Sequence, residues 1–333
     1  MRAPSRWKSI LQRFARLRVL VIGDMMLDQY IMGRVSRISP EAPVPVVDVQ
    51  SEKFFPGGAS NVARNLRSLS ARVAVLGVIG ADSSGQKLVQ VLREQGIETV
   101  GLFQDPTRPT ILKTRVIAQH QQVVRFDREN RAPISPLFRS RALDFAKNLM
   151  PKLDAVIFED YGKGFIQQEL LDACVQMARR DRVPTFADPN AHHRLHYRGL
   201  TAITPNRHEA FWMAQEPASD PSSDPLKDKP LIEVGRKILH ESGVKNLLVT
   251  LGEQGMCLFR RGHAHHHIPT AAQEVFDVSG AGDTAISAFA LGLCSGLDPK
   301  MAAHLSNVAA GIVVGRAGTA TVTPDELLGR LGK

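Results

Sequence analysis

The sequence predicts an α/β fold in which helices cover both faces of a parallel sheet and a small second sheet stands apart. Two observations carry this. Apolar runs at 18–24 (RVLVIGD), 72–80 (RVAVLGVIG), 154–160 (DAVIFED), 183–189 (VPTFADP), 201–206 (TAITPN) and 246–252 (NLLVTLG) are continuous, with helix-length stretches between most of them. That is the pattern of strands buried on both faces. Other stretches, 44–50 (VPVVDVQ), 114–119 (TRVIAQ) and 122–127 (QVVRFD), alternate polar with apolar residues, as strands with one wet face do.

With 333 residues, 43% of them hydrophobic, the chain can bury a sizeable core. Its start, MRAPSRWKSILQRFARLR, is basic and amphipathic and lacks the continuous apolar centre of a secretory signal. We read it as a surface helix leading into the first strand. Nowhere does an apolar run reach the roughly 18 residues of a membrane span, so no membrane partner is expected. Segment 214–230 (AQEPASDPSSDPLKDKP) reads as an exposed loop. Cys174, Cys257 and Cys294 are odd in number and lack CxxC spacing, which points to a reducing compartment and a cytoplasmic location.

The net charge of +9 raises nucleic-acid binding, but beyond the N-terminus the basic residues are scattered and aromatics are only 6%. Neither a cationic stripe nor a stacking platform is visible, and a small anionic substrate accounts for the excess. His263, His265 and His267 would share one side of a strand, yet no Cys or carboxylate nearby completes a tetrahedral metal set. No GxxxxGK[ST] occurs, and no GxGxxG follows a strand, which weighs against a P-loop enzyme and a dinucleotide dehydrogenase.

Several strands end in polar residues: Asp24, Asp28, Asp160, Asp188, Asn206 and Glu209. Ligands of open α/β sheets bind outside the carboxyl ends of strands, so these side chains are expected to converge on one crevice. In FDVSGAGDTAISAFALG (276–292) small residues precede an apolar helical pattern. A helix starting near Gly280 would leave the N–H groups of Gly280, Ala281, Gly282 and Asp283 free for an anion. Asp283 could cap that helix, or it could accept a proton from a hydroxyl held against a bound phosphate.

DVSGAGDTAISAFA (277–290) resembles the second signature of the ribokinase-like (PfkB) carbohydrate kinases, and GGASNVARNL (57–66) resembles the first. GDMMLD (23–28), NRHE (206–209) and TLGEQG (250–255) extend the likeness along nearly the whole chain. The resemblance implies a ribokinase-like, Rossmann-type three-layer sandwich with a small β lid. It forms a single domain over 1–333, with the lid drawn from about 30–50 and 112–127. It further implies an enzyme using ATP and Mg²⁺, and K⁺ in many relatives. Asp283 would be the general base, with Gly280, Ala281 and Gly282 holding the transferring phosphate. Asp28, Gly57, Gly58 and Asn61 would bind sugar, although Met26 stands where ribokinases carry a polar Asn. Asn206 and Glu209 would organise Mg²⁺ indirectly, Asp277 would support a monovalent-cation loop, and Thr250, Gly252, Gly255, Asn307 and Gly311 would border the nucleotide.

Within the family, residues 23–47 and 113–129 are similar to the branch that phosphorylates D-glycero-D-manno-heptose 7-phosphate at C1. The HxGH motif of the nucleotidyltransferase in two-domain forms is missing, so a stand-alone kinase is expected. Asp160, Lys163, Arg115 and Arg125 are the candidates to bind this sugar phosphate. Phosphofructokinase-, ribokinase- and fructokinase-like activities are the alternatives. A sugar sensor on this fold would lose the base, whereas Asp283 is present. Exposed lid edges invite a homodimer in which the lids pair.

Overall fold

All six continuous apolar runs enter one sheet of nine strands, ordered β13-β12-β11-β10-β9-β8-β1-β4-β5. The structure, a computed structural model, describes residues 3–119, 121–316 and 318–332. The chain opens with α1 (Ala3–Phe14), β1 (Arg18–Gly23), β2 (Met25–Ile38), β3 (Pro45–Gly58), α2 (Ala59–Ser68), β4 (Arg72–Gly80), α3 (Ser83–Glu94) and β5 (Glu98–Asp105). The middle holds β6 (Ile111–Ala118), β7 (Gln121–Arg128), α4 (Pro136–Leu149), β8 (Ala155–Glu159), α5 (Gln168–Arg180), β9 (Thr185–Asp188) and β10 (Ala202–Ile203). The remainder comprises α6 (Arg207–Met213), α7 (Lys229–Ser242), β11 (Asn246–Thr250), β12 (Met256–Phe259), β13 (His266–Ile268), α8 (Ala281–Cys294), α9 (Pro299–Val313) and α10 (Pro324–Leu331).

From β11 to β5 every pairing is parallel. The expectation of a wholly parallel sheet fails at one edge, where β11, β12 and β13 pair antiparallel. A tight turn there, with Gly255 at φ 85°, returns the chain at once, so no crossover helix is needed. Alternation along β1 explains the three layers. Val19 and Val21 pack with the side chains of α1, α2, α3, α8, α9 and α10, whereas Leu20 and Ile22 pack with those of α4, α5, α6 and α7.

The lid is a four-stranded sheet, ordered β3-β2-β6-β7. It is longer than the segments expected for it: β2 starts at Met25, directly after β1, and β3 runs to Gly58. His120, inside the expected second lid segment, lies outside the described residues.

Polar contacts between α2 and α8 bring the two glycine-rich motifs together. Thr284 Oγ1 donates to Asn65 Oδ1 (2.7 Å), and Ser287 Oγ lies 3.4 Å from the Val62 carbonyl. Among the described residues no helix is long and apolar enough to cross a membrane.

Candidate active site

Asp283 is the third residue of α8, and Gly280 is its N-cap with φ 79°. A side chain at Gly280 would be strained by that backbone, and its Cβ would lie 2.9 Å from Asn61 Nδ2. The Asp283 carboxylate is 6% exposed and does not cap its helix. It turns toward α2 and the strand-end loop, accepting from Asn61 Nδ2 and, at 3.3 Å, from Tyr161 Oη. Burial pushes its pKa up to about 6, while these two hydrogen bonds pull the other way.

The N–H groups of Gly280, Gly282 and Asp283 have no hydrogen-bond partner among the described residues. The fourth expected donor is different. Ala281 N–H is spent on the Val278 carbonyl (3.2 Å), because the chain closes a turn before entering the helix. Three amides therefore point from the positive end of α8 into the crevice, an arrangement suited to an anion.

Beside them, oxygens of Glu159, Asp188 and Asp283 lie within 4.8 Å of one another. Glu159 is 2% exposed, and its Oε2 has no hydrogen-bond partner among the described residues. Burial, then the neighbouring carboxylates, hold Glu159 and Asp188 well above the usual carboxylate range. Asn206 and Glu209 face each other as a capping box on α6. Glu209 N donates to Asn206 Oδ1 (2.9 Å) and Asn206 N donates to Glu209 Oε2 (2.8 Å). These carboxylates, Asn206 and Gly282 line a cavity of about 200 Å³. A hard divalent cation takes oxygen ligands, and a buried, unpartnered carboxylate oxygen in this set fits one.

A second cavity, about 530 Å³, is lined by Thr250, Gly252, Gly255, Asn307, Gly311, Ala281 and Gly282, so all five residues expected at the nucleotide do meet. Asn307 also has a packing role, since Nδ2 donates to the Pro269 carbonyl (2.7 Å). Asp277 accepts from Ser279 N (2.9 Å) and Gly318 N (3.0 Å), tying two loops together.

On the lid side, Asp28 is buried and paired with Arg115, whose guanidinium lies 5.2 Å from the Tyr30 ring centroid. Gly57 leaves room for that carboxylate: a Cβ there would sit 2.4 Å from Asp28 Oδ2. Gly58 follows at the end of β3, and Met26 is wholly buried against it. The expected phosphate-binding cations are all engaged by carboxylates: Arg115 by Asp28, Arg125 by Asp127 and Lys163 by Glu129. Asp160, in the wall of the smaller cavity, accepts from Gly162 N (2.8 Å) and Tyr197 Oη (2.7 Å) and lies 2.9 Å from His193 Nδ1. Asp24 takes three backbone N–H groups, from Tyr161, Lys163 and Phe165, and so fixes the loop that carries Tyr161 and Lys163.

Sequence reasoning missed Glu159 and Tyr161 and gave Asp188 no task. The signal was present in IFEDYGKG, where two acids and a Tyr close an otherwise apolar strand.

A family model described as pfkB family carbohydrate kinase matches residues 16–326. Among curated relatives, bifunctional protein HldE of Trichlorobacter lovleyi is 44% identical over 321 residues, covering 96% of this chain and 64% of that protein. HldE of Geobacter sulfurreducens is 42% identical over 325 residues, covering 98% of this chain and 65% of that protein. The chain thus spans just under two thirds of the length of the relatives it matches. Among solved structures, Arabidopsis thaliana ribokinase complexed with ribose and ATP has a TM-score of 0.75 at 18% identity, with 95% of this chain and 98% of that one covered. Phosphofructokinase-2 from Escherichia coli has a TM-score of 0.75 at 16% identity, with the same coverage of 95% and 98%. These two likenesses show the fold.

Proposed function

The chain belongs to the pfkB family of carbohydrate kinases, and we propose that its reaction is transfer of the γ-phosphoryl group of ATP to the C1 hydroxyl of D-glycero-β-D-manno-heptose 7-phosphate. One observation carries the chemistry: a buried carboxylate, Asp283, sits in the same helical turn as three free amides, between a nucleotide-sized cavity and the lid. Asp283 accepts the proton of the sugar hydroxyl as its oxygen attacks the γ-phosphorus, and ADP leaves. The Gly280, Gly282 and Asp283 amides hold the charge that builds on the transferring group. Asn61 and Tyr161 keep the base aimed, while Asp28 and Arg115 close over the sugar from the lid. Glu159, Asp188 and Glu209, with Asn206, would hold Mg²⁺, which when bound neutralises phosphate charge.

The sugar assignment is supported by the lid segments that resemble the heptose branch. Turnover should therefore be measured across heptose 7-phosphate, unphosphorylated heptose, ribose, fructose and fructose 6-phosphate. Heptose 7-phosphate should be preferred by a wide margin in kcat/KM. Equal efficiency with and without the 7-phosphate would sink the assignment, and preference for fructose 6-phosphate would move the chain to the phosphofructokinase branch.

We also read the chain as a homodimer through the lid. Val124 and Phe126 on β7, an edge strand, are 48% and 53% exposed, which is costly for a free surface and natural for an interface.

A further inference from the structure

One half-buried cation of the lid has no place in the scheme so far. Lys113 of β6 is in register with Asp28 of β2 on one side and Asp127 of β7 on the other. With Phe55 of β3, opposite Asp28, they make a row across one lid face. That face meets α2, since the Arg64 guanidinium lies 5.6 Å from the Phe55 ring centroid.

The Lys113 side chain is only 14% exposed, and its one ion-pair partner among the described residues, Asp127 Oδ2, is 3.5 Å away. A well-formed ammonium–carboxylate hydrogen bond is shorter, about 2.7–2.9 Å. Asp127 is in fact committed elsewhere, for Arg125 grips both its oxygens at 2.9 and 2.8 Å. Lys163, 11% exposed, comes from the loop after β8 and rests on Glu129 at 2.8 Å. Burial depresses the Lys113 pKa, and the charges of Arg125 and Lys163 depress it further, so the three cations share one neighbourhood. With Arg131 on Glu129 and Arg115 on Asp28 included, five cations there face three carboxylates, Asp28, Asp127 and Glu129, leaving an excess positive charge in a half-buried space. Lys163 lies two residues beyond Tyr161, which bonds the proposed base, and Asp24 accepts the backbone N–H of both, so one anchored loop carries Lys163 and the contact to Asp283.

We propose that Lys113 and Lys163 form the seat of a phosphate monoester carried by the sugar, and that Lys113 is the residue that distinguishes phosphorylated from unphosphorylated substrates. The inference rests on the sugar-kinase reading above and deepens it. A phosphate brings several acceptor oxygens to the poorly matched Lys113 ammonium and its neighbour Lys163, and removes their mutual repulsion. Arg115 is left to orient Asp28, and Arg125 to hold Asp127.

The test compares wild type with Lys113→Met, which keeps the unbranched stem, and Lys113→Arg. For Lys113→Met the KM for heptose 7-phosphate should rise roughly 10- to 100-fold, the range for losing a charged hydrogen bond. The KM values for ATP and for unphosphorylated heptose should not move, and Lys113→Arg should recover part of the loss. An unchanged KM for the phosphorylated sugar overturns the proposal, and so does a parallel loss on both sugars, which marks a purely structural lysine. Calorimetric titration with inorganic phosphate decides the matter independently of the heptose reading. Binding at least tenfold weaker in Lys113→Met upholds the seat, and equal binding overturns it. If wild type does not separate the two heptoses while phosphate binding still depends on Lys113, the sugar assignment and the discriminating role of Lys113 on it fall, and the anion seat stands.

Discussion

Replacing Asp283 by Asn should remove nearly all activity and make the protein more stable. The carboxyl pKa rises from 3.8 to about 6 on folding because the group is buried, despite its bonds to Asn61 and Tyr161. A carboxyl raised in this way adds stability below pH 3.8 and loses that contribution as pH climbs through about 6. At neutral pH the buried charge therefore costs roughly 3 kcal/mol. Asn carries no charge, but it offers one acceptor oxygen where Asp283 offers two, which gives back about 1 kcal/mol. Part of that is recoverable, since Asn61 Oδ1 is buried without a partner among the described residues and can accept from the new amide. A net gain of about 2 kcal/mol in a chain of 333 residues corresponds to a Tm increase of roughly 3 °C. The gain should be present at pH 7–8 and fade toward pH 4. Turnover should drop roughly 10²- to 10⁴-fold, the share usual for a general base. The same titration sets the wild-type pH profile: kcat/KM should fall about tenfold per pH unit below about 6, because the base must be unprotonated. Melting curves and steady-state assays on the same preparations check all of this. A variant that melts lower than wild type, or keeps more than about a third of its turnover, would refute the assignment and leave Asp283 a structural residue.

Two further changes test the cation site and the lid. Glu209→Gln weakens the carboxylate set beside the nucleotide cavity, so the Mg²⁺ concentration for half-maximal rate should rise several-fold while the sugar KM stays put; an unchanged Mg²⁺ dependence would free Glu209 of that role. Phe126→Glu places a charge on a 53% exposed lid side chain and should shift the chain to monomer in light scattering, whereas an undisturbed dimer would place the interface elsewhere.

What could be read from the sequence follows from how local each signal is. Six of the seven parallel strands of the large sheet were legible, because burial on both faces demands uninterrupted apolar runs. β5 (ETVGLFQD) escaped because an edge strand meets helices on fewer sides and mixes polar with apolar residues. β12 escaped because four apolar residues carry no period of their own. At the site, Asp283 and the glycines were legible because a helix start imposes its chemistry within a few residues of chain. Thr250, Gly252 and Gly255 could be named as cavity residues because they lie in TLGEQG, and Asn307 and Gly311 of α9 meet them in the same cavity. Charge pairing was not legible in this way. Lys163 meets Glu129, and Arg115 meets Asp28 across 87 positions of sequence, and no local pattern foretells which carboxylate a cation will find. Lys113 was passed over for the same reason. In the sequence it is one basic residue in an alternating strand, and only the register that sets it beside Asp28, together with Arg125's hold on Asp127, leaves it short of a partner. Such a mismatch between charges exists only in three dimensions, and it is there that a selective anion seat can be recognised.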